Sequence, residues 1–253
     1  MKKFAFLALA AIVAFCSCIW DVAGETGNGV SVQTEITVTD FSAISVPSSI
    51  DVFYTQTPGG QSLTLTCDEN LVEFYLIKVE DGTLVVTTKP GVSVRSKVKT
   101  YLTVNSPVLE AVKLSGSGDM HIGSPVTTIG SFEIKISGSG DVMAEDIIQC
   151  RSFSARTSGS GNAFVAGVLS ATAAEFRSTG SGDLTSNGVT AEDVSVALFG
   201  SGDCTLNCKG VGTVSVKISG SGDCTLTGTA ATLANIDISG SGDFNMRGLA
   251  VGQ

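Results

Sequence analysis

The sequence predicts an all-β protein: a single-stranded, right-handed parallel β-helix, or solenoid, with about 20–22 residues in each rung. Three observations predict this fold. A glycine turn recurs at an even pitch, apolar and polar residues alternate on both sides of it, and 30 glycines accompany only 6% aromatic residues. Such a chain lacks the large side chains that fill a deep globular core, whereas a narrow solenoid needs fewer of them. Right-handed coiling is expected from the general preference of parallel crossovers.

The turn is the tetrapeptide Gly-Ser-Gly-Asp, which has one Gly-Ser-Gly-Asn variant. Its copies begin at Gly116, Gly138, Gly159 (the variant), Gly180, Gly200, Gly220 and Gly240. Successive copies are 22, 21, 21, 20, 20 and 20 residues apart, a regularity that marks a stack of equal units. The glycines are predicted to supply positive φ at a tight corner, where a Cβ would clash.

Strands are predicted on both sides of each turn. Apolar residues stand four and two positions before the turn and three positions after its last residue, as Ile134, Ile136 and Ala144 do. Polar residues such as Lys135 lie between them, and a third short strand is predicted near positions such as Val168. Because one unit cannot bury its own apolar face, the units must stack as parallel, in-register ladders about 4.8 Å apart.

The chain divides into four segments. Residues 108–253 carry the regular repeat, and residues 41–107 are predicted to form degenerate rungs and an N-terminal cap over the open strand edge. Within this second segment, residues 44–52 alternate like a rung with Ser-Ser-Ile-Asp in place of the glycine turn, and residues 70–75 form a short helix. Residues 18–40 are predicted to be a tether.

The N-terminus resembles a lipoprotein export signal. A basic start at residues 1–3 precedes an apolar run at residues 4–15, which is too short to span a bilayer as a helix. Residues 1–17 are therefore predicted to be a signal peptide, and Cys18, after the small Ser17, the lipidated first residue of the mature chain. The alternative is ordinary secretory cleavage that discards the cysteines. Lipidation predicts an exported protein anchored in the cell envelope, with the outer membrane favoured, facing the periplasm or the exterior.

The charge balance restricts the partners. The net charge is −9, and removal of the signal peptide leaves 13 basic against 24 acidic residues, a net charge of −11. Nucleic acid and anionic membrane surfaces attract faces rich in Lys and Arg, so neither is expected as a partner. Contact with a membrane is predicted only through the N-terminal lipid.

The aspartates of the turns are predicted to form a vertical column. They are Asp119, Asp141, Asp183, Asp203, Asp223 and Asp243, with a break at Asn162. Carboxylates about 4.8 Å apart repel by roughly 1 kcal/mol even in water-like surroundings, so something must offset the repulsion. Either each carboxylate accepts backbone N–H bonds in an Asx-type turn, or a weakly bound cation such as Ca²⁺ lies between rungs. Asn162 keeps the turn without the charge, which favours the structural role.

The cysteines are predicted to be apolar filler. Five follow the signal region: Cys67, Cys150, Cys204, Cys208 and Cys224. Their odd number prevents complete pairing within the chain. Cys204 and Cys224 share one column and lie close enough for a disulfide, although a reduced, stacked pair is favoured. With Cys208 they lack a fourth ligand for a soft metal, so no metal site is predicted.

Catalytic motifs are missing from the sequence. A serine triad would have to use His121, which directly follows a turn and is predicted to be a surface residue. Some β-helix proteins cleave polysaccharides with paired carboxylates, but here nearly every rung carries the same aspartate. The protein is therefore predicted not to be an enzyme and to need no cofactor beyond the weak Ca²⁺ alternative.

Four motifs carry a family resemblance. Phe41-Ser-Ala-Ile44, Ser49-Ile-Asp-Val52, Asp81-Gly-Thr-Leu84 and the Ser-Gly-Ser-Gly-Asp repeats resemble the bacterial family called putative auto-transporter adhesin, head GIN domain. The resemblance runs from about Gly27 to the C-terminus. It implies a β-helical fold and a surface or periplasmic lipoprotein, and it brings no catalytic residues.

The predicted function is a non-catalytic envelope module that presents a solenoid face to extracellular polysaccharide or to a surface protein. One alternative is a structural envelope protein without a specific ligand, and a second is a polysaccharide-active β-helix enzyme. Binding predicts an exposed aromatic or irregular patch on one face, whereas a structural role predicts uniform faces. An enzyme predicts a cleft with unequal carboxylates.

Overall fold

Alternating apolar and polar residues build strands along residues 23–252, the part of the chain that the computed structural model describes. Within that range, the region before the regular repeats holds the 3-10 helix Glu69–Phe74 and nine strands: β1 (Ala23–Thr26), β2 (Ser31–Ile36), β3 (Ala43–Val46), β4 (Asp51–Gln56), β5 (Ser62–Asp68), β6 (Tyr75–Glu80), β7 (Thr83–Thr88), β8 (Val92–Arg95) and β9 (Tyr101–Ser106).

The repeats that follow contain fifteen more strands within the described residues. These are β10 (Ala111–Leu114), β11 (Met120–Ile122), β12 (Val126–Thr127), β13 (Ser131–Ile136), β14 (Val142–Ala144), β15 (Ile148–Gln149), β16 (Ser152–Thr157), β17 (Ala163–Val165), β18 (Leu169–Ser170), β19 (Ala173–Ser178), β20 (Leu184–Thr190), β21 (Asp193–Leu198), β22 (Cys204–Ile218), β23 (Cys224–Ile238) and β24 (Phe244–Val251). From β20 onward the short third strand merges with its neighbours into longer strands. The parallel stacking of all these strands confirms the predicted solenoid, which has about seven turns.

Register holds from rung to rung because most inward positions keep an apolar side chain, with buried hydroxyl residues such as Thr157 and Ser178 as exceptions. One buried column runs in register through the rungs: Val112, Ile134, Ala155, Phe176, Val196 and Val216. Aromatic rings fill the widest part of the interior, where the ring centroids of Phe132 and Phe153 lie 6.3 Å apart. The short third strands β12, β15 and β18 also stack in register, as the alternation predicted.

The turn glycines serve a different purpose from the one predicted. Within the described chain, none of the glycines in the seven Gly-Ser-Gly turns has a positive φ, so that part of the prediction is wrong. A Cβ on Gly138 would instead lie 2.0 Å from the carbonyl oxygen of Gly116, and one on Gly222 would lie 2.1 Å from that of Gly202. Glycine is required because successive turns stack backbone against backbone, with no room for a side chain between them.

The rungs of the N-terminal region do not follow chain order. Strand β3 pairs in parallel with β7 on one side and β10 on the other, and β4 likewise lies between β9 and β11. The outer edges of β7 and β9 are covered by the antiparallel strands β6 and β5, and β2 pairs with β5. This end of the solenoid is thus closed by antiparallel pairing.

Part of the predicted tether belongs to the fold. Strands β1 and β2 lie within residues 18–40, and β1 pairs with β8. The buried Asp68 carboxylate holds this region, because it accepts backbone N–H bonds from Gly29 at 2.6 Å, Lys97 at 2.9 Å and Val98 at 3.2 Å. Burial alone raises the pKa of Asp68, but these three donors outweigh it and leave the pKa below its ordinary value.

The predicted signal peptide, residues 1–17, and the predicted lipidation site Cys18 lie outside the described residues. Within residues 23–252 no helix has the length and apolar character that crossing a membrane requires.

Candidate functional site

The turn aspartates form a hydrogen-bonded column along one corner of the solenoid. The backbone N–H of Asp141 donates to Oδ1 of Asp119 at 2.9 Å, and the N–H of Asp203 donates to Oδ1 of Asp183 at 2.8 Å. The same bond recurs along the column at Asp51, Asn162, Asp223 and Asp243. Each side chain of the column from Asp51 to Asp223 therefore accepts a bond from the next rung rather than from its own turn, which is the correction to the predicted Asx-type turn.

The column begins one rung earlier than the glycine repeat does. Asp51, in the Ser-Ser-Ile-Asp turn, accepts the N–H of Asp119 at 3.1 Å. Asn162 fits the same geometry, since its amide oxygen accepts the N–H of Asp183 at 2.8 Å. The column thus needs an acceptor at each turn and does not need a charge at every one. The bonds use one oxygen, Oδ1, of each carboxylate.

Directly beside the column lies a stripe of large side chains. The position two residues after each turn aspartate points outward, and it holds Phe53, His121, Met143 and Phe164 in register on adjacent rungs. Tyr101 lies opposite Asp51 on the neighbouring strand β9, outside this register, and joins the set through its ring contact with Phe53. We call these five residues the aromatic stripe.

The rings of the aromatic stripe pack against one another at the surface. The rings of Phe53 and His121 stack with their centroids 4.7 Å apart and an angle of 6° between their planes. Tyr101 meets Phe53 edge-on at 5.5 Å, and the Lys99 ammonium lies 5.3 Å from the centre of the Phe53 ring. The rings are half-buried, and Met143 is 38% exposed. The faces of Phe53 and His121 that meet are therefore covered, and the exposed part of the stripe lies at the remaining surfaces of these half-buried rings.

The stripe covers only part of this face. Beyond Phe164 the same outward column continues as Thr185, Thr205 and Thr225. The face is therefore divided into an aromatic half and a threonine half. The outward face is therefore not uniform from rung to rung.

Sequence reasoning missed the stripe, although the sequence contains its signal. Aligning the repeats on the turn singled out the inward position three residues after the aspartate, as at Ile122, and passed over the outward position before it. His121 was identified only as an isolated surface residue. The structure places it on the stripe, stacked on Phe53.

The cysteines play no part in the stripe. All five described cysteines are buried and free, so Cys204 and Cys224 form the reduced stacked pair that the sequence favoured. Burial raises the pKa of Cys67, Cys150 and Cys208 to about 11, which keeps these thiols neutral. The contact with Cys224, together with burial, raises the pKa of Cys204 as well.

Among residues 23–252, no group of three His, Cys, Asp or Glu side chains is arranged to hold a metal ion. The turn aspartates lie side by side, but each already accepts the backbone bond described above.

Several solved structures share this fold. A "putative adhesin" from Bacteroides fragilis is 23% identical over 87% of this chain and 98% of its own, with a TM-score of 0.72. A "putative adhesin" from Parabacteroides merdae is 24% identical over 88% of this chain and 100% of its own, with a TM-score of 0.72. A "putative lipid binding protein" from Parabacteroides distasonis is also 24% identical over 88% of this chain and 100% of its own, with a TM-score of 0.65. No curated protein matches the chain.

A family model gives the assignment. It matches residues 40–210, which is more than half of the chain and includes the aromatic stripe and most of the aspartate column. The chain belongs to the family described as putative auto-transporter adhesin, head GIN domain.

Proposed function

We propose that this protein is a non-catalytic adhesin that holds a neutral glycan against the aromatic stripe at the cell surface. The observation that carries the proposal is the stripe of large, partly exposed side chains, four of them in register, beside a column of hydrogen-bond acceptors. The family description, which names an adhesin, supports a binding role.

The stripe has the chemistry that sugar rings require. Pyranose rings present patches of C–H groups that pack on aromatic faces, and an exposed aromatic ring supplies a large apolar surface for them. Rungs about 4.8 Å apart repeat these contacts along the solenoid axis. A linear glycan that lies along the stripe can therefore make several weak contacts at once, and together these give a useful affinity.

The aspartate column indicates that the ligand is a neutral rather than an anionic glycan. The second oxygen of each carboxylate can accept a sugar hydroxyl in a charge-assisted hydrogen bond. The same column repels anionic sugars, because Asp119 and Asp141 immediately flank His121 and Met143. The stripe is thus expected to prefer neutral glycans to uronic-acid or sulfated ones.

The uniform aspartates also argue for binding without catalysis. Glycoside hydrolysis uses two carboxylates with different tasks, one acid and one base or nucleophile, on either side of the bond that breaks. Here Asp183, Asp203 and Asp223 occupy equivalent positions and accept equivalent bonds. A stack of identical groups supplies no such division of tasks.

Substitution of the stripe tests the proposal. Glycan-array screening of the purified protein comes first, followed by calorimetry with the neutral glycan that binds best. Each lost ring contact is worth about 0.5–1.5 kcal/mol, so Phe53→Ala with Phe164→Ala is expected to weaken binding about tenfold. The matched control is Phe199→Ala, which removes a ring that is 36% exposed and stacks on Arg177. It should change the affinity less than about twofold.

Three outcomes would count against the proposal. Binding that survives the double substitution, or that is lost equally in the control, would place the glycan elsewhere. New reducing ends in the incubated glycan would overturn the non-catalytic role. Absence of any neutral glycan among the binders would favour the alternative of a structural envelope protein.

A further inference from the structure

A column of cations lies on the other side of the Gly-Ser-Gly corner from the aspartates. The cations occupy one outward position of successive rungs, in register: Lys113, Lys135, Arg156, Arg177 and Lys217. The uncharged Ala197 stands at this position between Arg177 and Lys217. Five of the chain's 15 basic residues thus stand in one file on a protein of net charge −9. We call these five cations the basic ladder.

Most of the ladder lacks a neutralising partner. Arg156 is the exception in the middle, because it contacts the Glu133 carboxylate at 3.4 Å and the Glu175 carboxylate at 2.6 Å. Lys217, at the far end, contacts Asp237 at 2.6 Å. Among the described residues, no carboxylate lies within ion-pair distance of the other three cations: Lys113, Lys135 and Arg177.

Stacking like charges in this way is unfavourable by itself. Directly opposed like charges on neighbouring strands destabilise a sheet, and here the neighbours are only about 4.8 Å apart at the backbone. Arg177 is additionally held in place, since its guanidinium lies 4.5 Å from the centre of the Phe199 ring. A bound polyanion would relieve the repulsion between these cations.

A groove runs beside the ladder on the same face. It has a volume of about 720 Å³, and Arg156 is the one ladder residue that lines it, together with the carboxylates of Glu133, Glu175 and Asp193 and small side chains such as Ser195 and Ser215. Ser154 also lines the groove, and its Oγ is buried without a hydrogen-bond partner among the described residues. The face therefore offers a path along the solenoid axis with a file of cations next to it.

We infer that the basic ladder binds a linear anionic polysaccharide, one whose carboxylate or sulfate groups recur along a single chain. The ladder is one residue wide and lies along the axis, so it matches a thin polymer rather than a broad duplex. Glu133 and Glu175 border the ladder and weaken its attraction for any polyanion, so the preference for a polysaccharide over nucleic acid rests on the narrow width of the ladder. This site is separate from the aromatic stripe and does not depend on the proposed neutral glycan.

A charge-matched pair of variants tests the inference. Binding of the full chain to polygalacturonate, chondroitin sulfate and neutral dextran is measured at about 0.1 M and about 1 M salt, over which the screening length falls from about 10 to about 3 Å. The ladder variant is Lys113→Gln with Lys135→Gln and Arg177→Gln. The control variant, Lys78→Gln with Lys89→Gln and Arg247→Gln, removes the same charge away from the ladder.

The expected result is at least about tenfold weaker polyanion binding by the ladder variant at the lower salt, and a change of less than about twofold in the control. Wild-type affinity for the polyanion should fall steeply at the higher salt. Binding to neutral dextran should be the same for the wild type and the ladder variant. The stripe variant Phe53→Ala with Phe164→Ala should leave polyanion binding unchanged, which separates this result from the test of the stripe.

Three results would overturn the inference. One is failure of the wild type to bind either polyanion at the lower salt. Another is an equal loss of affinity in both triple variants, which would indicate a response to net charge alone. The third is tighter binding of single-stranded DNA than of either polysaccharide. If the triple variant fails to fold, the double variant at the exposed Lys113 and Lys135 gives the same comparison.

Discussion

Asn162 shows what the turn column requires of each residue. Its side-chain oxygen accepts the N–H of Asp183 at 2.8 Å, as the aspartates do on neighbouring rungs, yet it brings no charge. The hydrogen bond is therefore the structural contribution of this position. The charge adds repulsion between rungs, which the bond has to outweigh.

We predict that Asp203→Asn is neutral or slightly stabilising. The amide keeps the bond to the N–H of Asp223 and removes one repelling charge from the column. Asp203→Ala, by contrast, leaves that N–H without its partner and is expected to cost about 1 kcal/mol. Urea unfolding of both variants gives the comparison.

The same experiment tests the calcium alternative. If a cation lay between the carboxylates, wild-type stability would rise with about millimolar Ca²⁺, because a ligand that binds only the folded state stabilises it. Asp203→Asn would then lose that gain. A calcium-independent midpoint together with a neutral Asp203→Asn supports the hydrogen-bonding role alone.

At the scale of the element, the glycines of the turn allow the backbones of successive rungs to stack in contact. We predict that Gly202→Ala destabilises the protein by about 2 kcal/mol or more, since overpacking typically costs 1–3 kcal/mol and the atom struck here is backbone. Its Cβ would stand 2.0 Å from the carbonyl oxygen of Gly182. Ser201→Ala, an exposed position in the same turn, is the control and should be nearly neutral. Comparable midpoints in denaturant for the two variants would contradict the stacking explanation.

The repeated elements could be predicted from sequence because the period itself supplied an alignment. Most strands around the glycine turn have a fully buried face, so two-residue alternation is clear at positions such as Ile134 and Ile136, although the last rung leaves Ile236 and Ile238 exposed. The strands outside the repeat were harder to find. Strand β2 alternates only between exposed and half-buried positions, because it packs antiparallel at the outside of the cap.

The candidate site was only half predictable. The aspartate column followed from the repeat, but its bonding between rungs depends on how far successive turns are offset, and a one-dimensional pattern does not contain that offset. The stripe combines Tyr101 and Phe53 with later repeats, and the two belong to a region where chain order and spatial order differ. No alignment on the glycine turn brings Tyr101 next to Phe53.

At the scale of the whole molecule, opposite charges lie on the two sides of one corner of the solenoid. The acidic column and the aromatic stripe lie on one side of the Gly-Ser-Gly turn, and the basic ladder lies on the other. The two proposed sites, the stripe for a neutral glycan and the ladder for a polyanion, thus lie on different sides of the solenoid, and an adhesin that uses them has to be attached to the cell. Attachment of the protein to the cell concerns the whole chain rather than a single rung.

We predict that Cys18 provides this attachment through a lipid. Replacing Cys18 with Ser should move the protein from the membrane fraction to the soluble fraction, because the mature chain would lose its acyl groups. Mass spectrometry of the N-terminal peptide gives an independent measurement. Unchanged fractionation and an unmodified peptide would show that export ends in ordinary cleavage.

The interleaved order of the first rungs has a consequence for how the chain folds. Strands β3 and β4 lie between rungs built from residues 83–106 and residues 111–122, so they gain both neighbours only after a long excursion of the chain. Every later rung docks on one that precedes it by 20 to 22 residues. Loop closure over the longer distance is slower, so we expect the N-terminal region to set the folding rate. Once it has formed, it acts as a template on which the remaining repeats are added one after another.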